Sequence, residues 1–218
     1  MRVGRYGFRD AIERIEAVRK AIGPNIKLAV DVNEMFDYET ALQTCRAAEQ
    51  YDLMWMEEPF HRYPRGSDIG NPNYDRDDFS GILSRQTSIP LSAGEHHYGY
   101  AECFRLITRG GIRYMQYDVT KDGGVTAWLK VSAACEQAGI LMAPHHVPHF
   151  HIMLNAAVPN GFIMECYDNK RQHPAWPYLF DGFPTVKNGM MNCPEGPGWG
   201  MSVNEDFLHR YGHLYAWG

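Results

Sequence analysis

Residues 26–59, IKLAVDVNEMFDYETALQTCRAAEQYDLMWMEEP, hold the pattern from which the fold is read. Ile26–Val30 is an apolar run too short for a helix, so it reads as a buried strand, and it ends at Asp31. A helix is expected from about Tyr38 to Gln50, and a second apolar run, Leu53–Met56, ends at Glu57-Glu58-Pro59. Strand, helix and strand, with an acid closing each strand, form one unit of an alternating parallel architecture.

The alternation continues in both directions. Upstream, Arg2-Val3 reads as a strand. Ile12, Ile15, Val18 and Ile22 then lie at helical spacing between an expected capping box, Asp10 with Glu13, and the stop at Gly23-Pro24. Downstream, helices at about 75–85, 101–108, 125–137 and 152–157 precede the strands Ile89–Ala93, Ile112–Tyr117, Ile140–Ala143 and Phe162–Met164. These strands end at Gly94-Glu95, Asp118, Pro144-His145 and Glu165. Seven strands and six helices are therefore expected before residue 166. From Asp31 onward the strand ends stand 20 to 38 residues apart, comparable with the roughly 31 residues per unit of a (β/α) barrel. The expected class is α/β, a (β/α) TIM-like barrel over residues 1–166. A doubly wound open sheet shares the local pattern, but no G-x-G-x-x-G follows any strand. Residues 167–218, rich in Pro, Gly and aromatics, read as an irregular tail packed on the barrel, helical only from about Asn204. Arg62–Asp78 reads as a long loop.

Composition excludes several classes of function. With 21 basic and 26 acidic residues the net charge is -5, which argues against a nucleic acid partner. No apolar run approaches the roughly 20 residues of a membrane-spanning helix, and charged residues follow Met1 where a signal peptide would be apolar. The expectation is a soluble, cytoplasmic protein. Five cysteines without a C-x-x-C pair read as buried small hydrophobes, not as disulfides or a zinc site.

Asp31, Glu57, Glu95, Asp118, His145 and Glu165 each follow an apolar strand, and in a barrel all the carboxyl ends of the strands meet on one face. Carboxylates on adjacent strands repel one another unless a cation neutralises them, and an all-oxygen set suits Mg²⁺. Glu58 is an alternative to Glu57, although adjacent strand residues face opposite ways. In the run 145–151 the strand-end position favours His145 over His146, whereas His149 and His151 are expected at the surface or in a substrate loop. His96 is a candidate substrate contact.

The motifs Asp31-Val32-Asn33, Met56-Glu57-Glu58-Pro59, Ala93-Gly94-Glu95, Asp118 through Gly124, Pro144-His145 and Glu165 resemble the catalytic barrel of the enolase superfamily. The resemblance lies with the branch that includes mandelate racemase and the acid-sugar dehydratases, and it extends to Pro197-Gly198-Trp199-Gly200 in the tail. It implies that Asp31, Glu57 and Glu95 bind Mg²⁺, that His145 with Asp118 forms a general-base dyad, and that Asn33 and His96 touch substrate. Glu165, if protonated, would donate a hydrogen bond to the substrate carboxylate. A small-molecule carboxylate, specifically a sugar acid, is the implied substrate, and the complete enzyme is expected to be a homo-oligomer.

Family members also carry an N-terminal α+β capping domain and a Lys-x-Lys strand. Here Arg2 takes the place of the second Lys, so the chain is expected to lack the cap and the first barrel strand. A guanidinium stabilises an enediolate but is a poor second base, which favours β-elimination, and hence a dehydratase, over racemisation. Three alternatives stay open: a racemase or epimerase with a second base supplied elsewhere, a zinc hydrolase using the His-rich loop, and an inert barrel fragment.

Overall fold

The computed structural model describes residues 1–167 and 175–213. Its α/β core runs α1 (Gly7–Ile22), β1 (Leu28–Asp31), α2 (Tyr38–Ala48), β2 (Leu53–Glu57), α3 (Arg76–Ser84), β3 (Leu91–Ala93), α4 (Gly99–Arg109), β4 (Tyr114–Met115), α5 (Gly124–Gln137), β5 (Leu141–Met142) and α6 (Pro148–Ala156). All five strands are parallel, in the order β1-β2-β3-β4-β5.

At the edges, the expected strands Arg2-Val3 and Phe162–Met164 are reduced to single parallel bridges, Arg2 with Asp31 and Gly161 with Met142. The first edge stops after two ladder bonds, Asp31 N–H to Met1 O and Val3 N–H to Asp31 O, because the chain turns into a short 3₁₀ helix at Gly4–Tyr6. The second edge holds only Met142 N–H to Asn160 O and Phe162 N–H to Met142 O. Met1 and Arg2 line the same cavity as Ile163, Met164 and Glu165, so the sheet curves until its two edges face each other.

Several boundaries differ from expectation for local reasons. Helix α1 starts at Gly7 without a side-chain cap, so the capping box at Asp10 and Glu13 does not form. Asp10 instead lies in the first turn, 3.6 Å from Arg14 Nη1. Asp37 and Asp75 do cap α2 and α3, accepting from the N–H groups of Thr40 and of Asp77 and Asp78. Helix α6 begins at Pro148, earlier than its apolar spacing suggests, because the fixed φ of proline suits the first helical position.

Val30, Met56, Leu91, Met115 and Met142 are each buried to within 1% of complete enclosure, in one cluster with Ile15, Ala41, Cys45, Leu83, Leu106, Trp128 and Val131 of the helices. Burial of side chains of this size stabilises by about 1.5–3 kcal/mol each, so this layer fixes the strands whose ends carry the site. Cys45, Cys103 and Cys135 belong to it as expected, whereas Cys166 and Cys193 are exposed.

In the tail, a short helix α7 (Trp176–Leu179) precedes two small antiparallel pairs: β6 (Phe180–Asp181) with β9 (Ser202–Val203), and β7 (Val186–Lys187) with β8 (Met190–Met191). Helix α8 (Glu205–Tyr211) follows, capped by Asn204. Parts of the expected tail, residues 168–174 and 214–218, lie outside the described residues. Among the described residues no helix is long and apolar enough to cross a membrane.

Candidate active site

Parallel pairing brings the carboxyl ends of β1–β5 to one rim. Asp31 is the direct register partner of Glu57, while Glu95, Asp118 and His145 follow β3, β4 and β5 by two or three residues. The rim opens on a cavity of about 840 Å³ lined by Arg2, Asp31, Trp55, Glu57, Gln116, His145 and Glu165, among others.

Asp31 is held from two sides. Its Oδ2 accepts from Arg2 Nε at 2.8 Å, and its Oδ1 accepts from the backbone N–H of Asn33 at 2.7 Å. Burial raises the Asp31 pKa against the pull of Arg2. Burial, with Asp31 alongside, pushes Glu57 up to about 7, although Trp55 Nε1–H donates to Glu57 Oε2 at 3.0 Å.

His145 lies between two carboxylates. Its Nδ1 is 2.9 Å from Asp118 Oδ2 and its Nε2 is 2.7 Å from Glu95 Oε2. Burial would lower its pKa, but these two partners win and raise it to about 9. Asp118 Oδ1 also accepts from Thr120 N–H at 2.8 Å and Thr120 Oγ1 at 2.7 Å. Against burial, His145 and Thr120 bring Asp118 down to about 2. Glu95 is likewise lowered, burial being outweighed by His145; its Oε1 lies 3.2 Å from His96 Nδ1, and its carbonyl accepts from Lys121 Nζ at 3.1 Å.

Gly94 makes the turn before Glu95 possible. It sits at φ 139°, and a Cβ there would come within 2.6 Å of Met115 Sδ and 3.0 Å of Gln116 N. Its N–H donates to Glu58 Oε1 at 2.8 Å. Glu58 is only 2% exposed, and burial pushes its pKa up to about 8. The adjacent acids are thus divided: Glu57 lines the cavity, whereas Glu58, past the end of β2, lines a small space with Arg76, Asp77 and His97.

Glu165 Oε2 accepts from His146 N–H at 2.7 Å, and the His146 ring packs on Tyr167 and Trp176. The expectation of surface positions for His149 and His151 is wrong: they are 2% and 0% exposed. The early start of α6 turns both rings inward. His149 sits among Phe150, Trp176, Phe180 and Phe183, and His151 bonds backbone groups beyond Asp118 and His145.

Residues not singled out in the sequence also belong here. Trp55 and Gln116 line the cavity, two residues before Glu57 and Asp118. The period of two along β2 places Trp55 on the same face as Glu57, which is the signal that marks it, whereas Gln116 lies just past the end of β4. The network of Glu34, Arg76 and His96 at the rim, with Arg76 Nη1 3.1 Å from Glu34 Oε1 and Nη2 2.7 Å from His96 O, has no comparable signature.

Among the described residues, the group whose ligand atoms all lie within 4.8 Å of one another is Glu34, Glu58 and His96, not Asp31, Glu57 and Glu95. Arg76 already supplies positive charge to the former group. The latter set fits a hard cation in its chemistry: it is all oxygen, and Asp31 and burial hold Glu57 well above the usual carboxylate range.

The chain resembles several known proteins. It is 28% identical over 207 residues to L-talarate/galactarate dehydratase of Salmonella typhimurium, covering 94% of this chain and 47% of that protein. With the arabinonate dehydratase of Saccharolobus solfataricus it shares 23% identity, covering 97% of this chain and 54% of that one. The solved L-talarate dehydratase of Polaromonas sp. JS666, complexed with Mg and L-glucarate, superposes with a TM-score of 0.81 at 30% identity, covering 95% of this chain and 53% of that one. A mandelate racemase/muconate lactonizing enzyme from a marine actinobacterium, in complex with magnesium, gives a TM-score of 0.84 at 26% identity, with coverage of 97% and 56%. The chain therefore spans about half the length of these relatives. The family model described as "Enolase C-terminal domain-like" matches residues 1–207, and the chain belongs to that family.

Proposed function

We propose that this chain forms the barrel part of a hydro-lyase that removes the proton alpha to the carboxylate of a sugar acid and eliminates the neighbouring hydroxyl, giving a 2-keto-3-deoxy acid. The observation that carries the reading is the His145 imidazole held between Asp118 and Glu95 at the cavity rim. It draws support from relatives named as dehydratases of talarate, galactarate and arabinonate.

In this reading neutral His145 takes the alpha proton, and the bonding electrons pass to the substrate carboxylate as an enediolate. Asp118 fixes the Nδ1–H form of the ring and stabilises the imidazolium that results. The enediolate then expels the 3-hydroxyl, which takes a proton from His145 and leaves as water; the remaining enol becomes the ketone. Asp118 and Glu95 together hold the imidazole pKa up to about 9. Glu95 engaged in holding a cation would no longer bond Nε2, which leaves that nitrogen as the base while Asp118 keeps its proton on Nδ1. Arg2, next to Asp31, supplies fixed positive charge. Asp31, Glu57 and Glu95 would hold Mg²⁺. When bound, it supplies positive charge beside the substrate carboxylate. Asn33 and His96 are the proposed substrate contacts.

The test is an assay of the protein against a panel of sugar acids, in deuterium oxide with Mg²⁺ present. The expected result is a 2-keto-3-deoxy product carrying solvent deuterium, lost with His145→Asn. Interconversion of two epimers without loss of water would establish the racemase reading in its place.

A further inference from the structure

His151 is fully buried and stands between the two loops that carry Asp118 and His145. Its Nε2 lies 3.0 Å from the backbone nitrogen of Val119, the residue after Asp118. Its Nδ1 lies 2.8 Å from the carbonyl oxygen of His146, the residue after His145. A backbone N–H only donates and a carbonyl only accepts, so these partners admit one form of the ring, the neutral imidazole with its proton on Nδ1. A proton on Nε2 would face the Val119 hydrogen and break the tie.

The His146 backbone is gripped at both ends: its N–H donates to Glu165 Oε2, and its carbonyl accepts from His151 Nδ1–H. His146 and Val147 have φ of 55° and 37°, a left-handed conformation that a β-branched residue adopts only when its surroundings impose it. Such a turn needs fixed partners, and His151 is one of them. On the other side, Val119 lies between Asp118 and Thr120, whose N–H and hydroxyl both donate to Asp118 Oδ1.

We propose that His151 is a positioning residue: as the Nδ1–H imidazole it ties Val119 to His146 and so holds the carboxylate of Asp118 and the ring of His145 in register. Its catalytic consequence rests on the proposed function; the tie itself does not. Burial keeps His151 neutral, lowering its pKa against the opposing effects of the His146 carbonyl and Asp118.

The test uses the whole chain with ¹⁵N-labelled imidazoles. At pH 7 the His151 ring should show a protonated Nδ1 and a bare Nε2; a protonated Nε2, alone or with Nδ1, overturns the proposal. The second measurement follows solvent exchange of the His145 Nδ1 proton in two variants. His151→Phe keeps a ring of similar volume beside Trp128 but has neither donor nor acceptor. His151→Gln has both and no ring. Exchange should be at least about tenfold faster in the Phe variant and within about twofold of the parent in the Gln variant. A purely packing role predicts the reverse order, and slow exchange in His151→Phe, or equally fast exchange in both, would refute the tie. If His151→Phe does not fold, the ring form in the parent chain and the Gln variant decide. None of these readouts needs a substrate, so the absence of dehydratase activity would strike the proposed function and leave this inference standing.

Discussion

Asp31 and Glu57 are direct partners across β1 and β2, so two carboxylates stand side by side at the rim, and Glu57 is pushed up to about 7 by burial and by its neighbour. A divalent cation shared by them would relieve that repulsion. Mg²⁺ should therefore raise the thermal midpoint at pH 7.5 relative to chelator. At a concentration of about 100 times Kd the stabilisation is about 2.7 kcal/mol. Glu57→Gln and Asp31→Asn should each remove most of this response. A midpoint indifferent to Mg²⁺ in the parent protein, or a full response in Glu57→Gln, would exclude these residues as ligands.

His149 sets an acid limit on stability. Burial among aromatic rings brings its pKa down to about 4, below the usual value of 6.5. Between those values the unfolded chain binds a proton that the folded chain refuses, so stability is complete above about pH 6.5 and declines as pH falls toward 4. Below that, both states carry the proton and this contribution is exhausted. His149→Phe, compared with the parent by urea denaturation from pH 7.5 to 4, should flatten the decline in that window. Parallel curves for the two proteins would show that His149 titrates normally in the fold.

The strand ends were legible in the sequence because each parallel strand is a short apolar run closed by one polar residue, and parallel register places those ends together. The histidines were not, for a reason that lies in tertiary structure. Ile152–Ala157 carries the apolar spacing of a helix, yet α6 begins at Pro148, and that earlier turn buries His149 and His151. Glu57 and Glu58 face different spaces as expected, yet Glu58 lies past the end of β2 with φ 40°, a conformation that composition and periodicity do not mark, and it accepts from Gly94 N–H. Phe162–Met164 has the composition of a strand but little backbone to pair with, because β5 offers only Met142.

Met56 tests what holds the rim in place. It is fully buried, pairs in register with Val30 and Leu91, and lies 3.5 Å from Cys45 Sγ through its own sulfur. Met56→Ala leaves a cavity between β2 and α2 and should cost about 2–5 kcal/mol in chemical denaturation. Val186, 54% exposed in the tail hairpin, should lose no more than about 0.5 kcal/mol on the same change. Equal costs at the two positions would mean that the helix-facing layer does not set stability.

Arg2 separates charge stabilisation from proton transfer. Its bond to Asp31 is largely solvent-exposed on the arginine side, so Arg2→Met should change stability by no more than about 1 kcal/mol. Its effect on the reaction should be larger, because the guanidinium supplies positive charge at the cavity wall and carries no transferable proton. For the proposed reaction, Arg2→Met should slow both dehydration and exchange of the alpha proton with deuterium while leaving each measurable. On the proposed mechanism, in which one group is both the base and the acid for the departing hydroxide, His145→Asn should abolish both. If Arg2→Met abolishes exchange while His145→Asn retains it with one substrate epimer, the base lies on the opposite face of the substrate. The reaction would then be an epimerisation, and His145 would serve only one of its two directions.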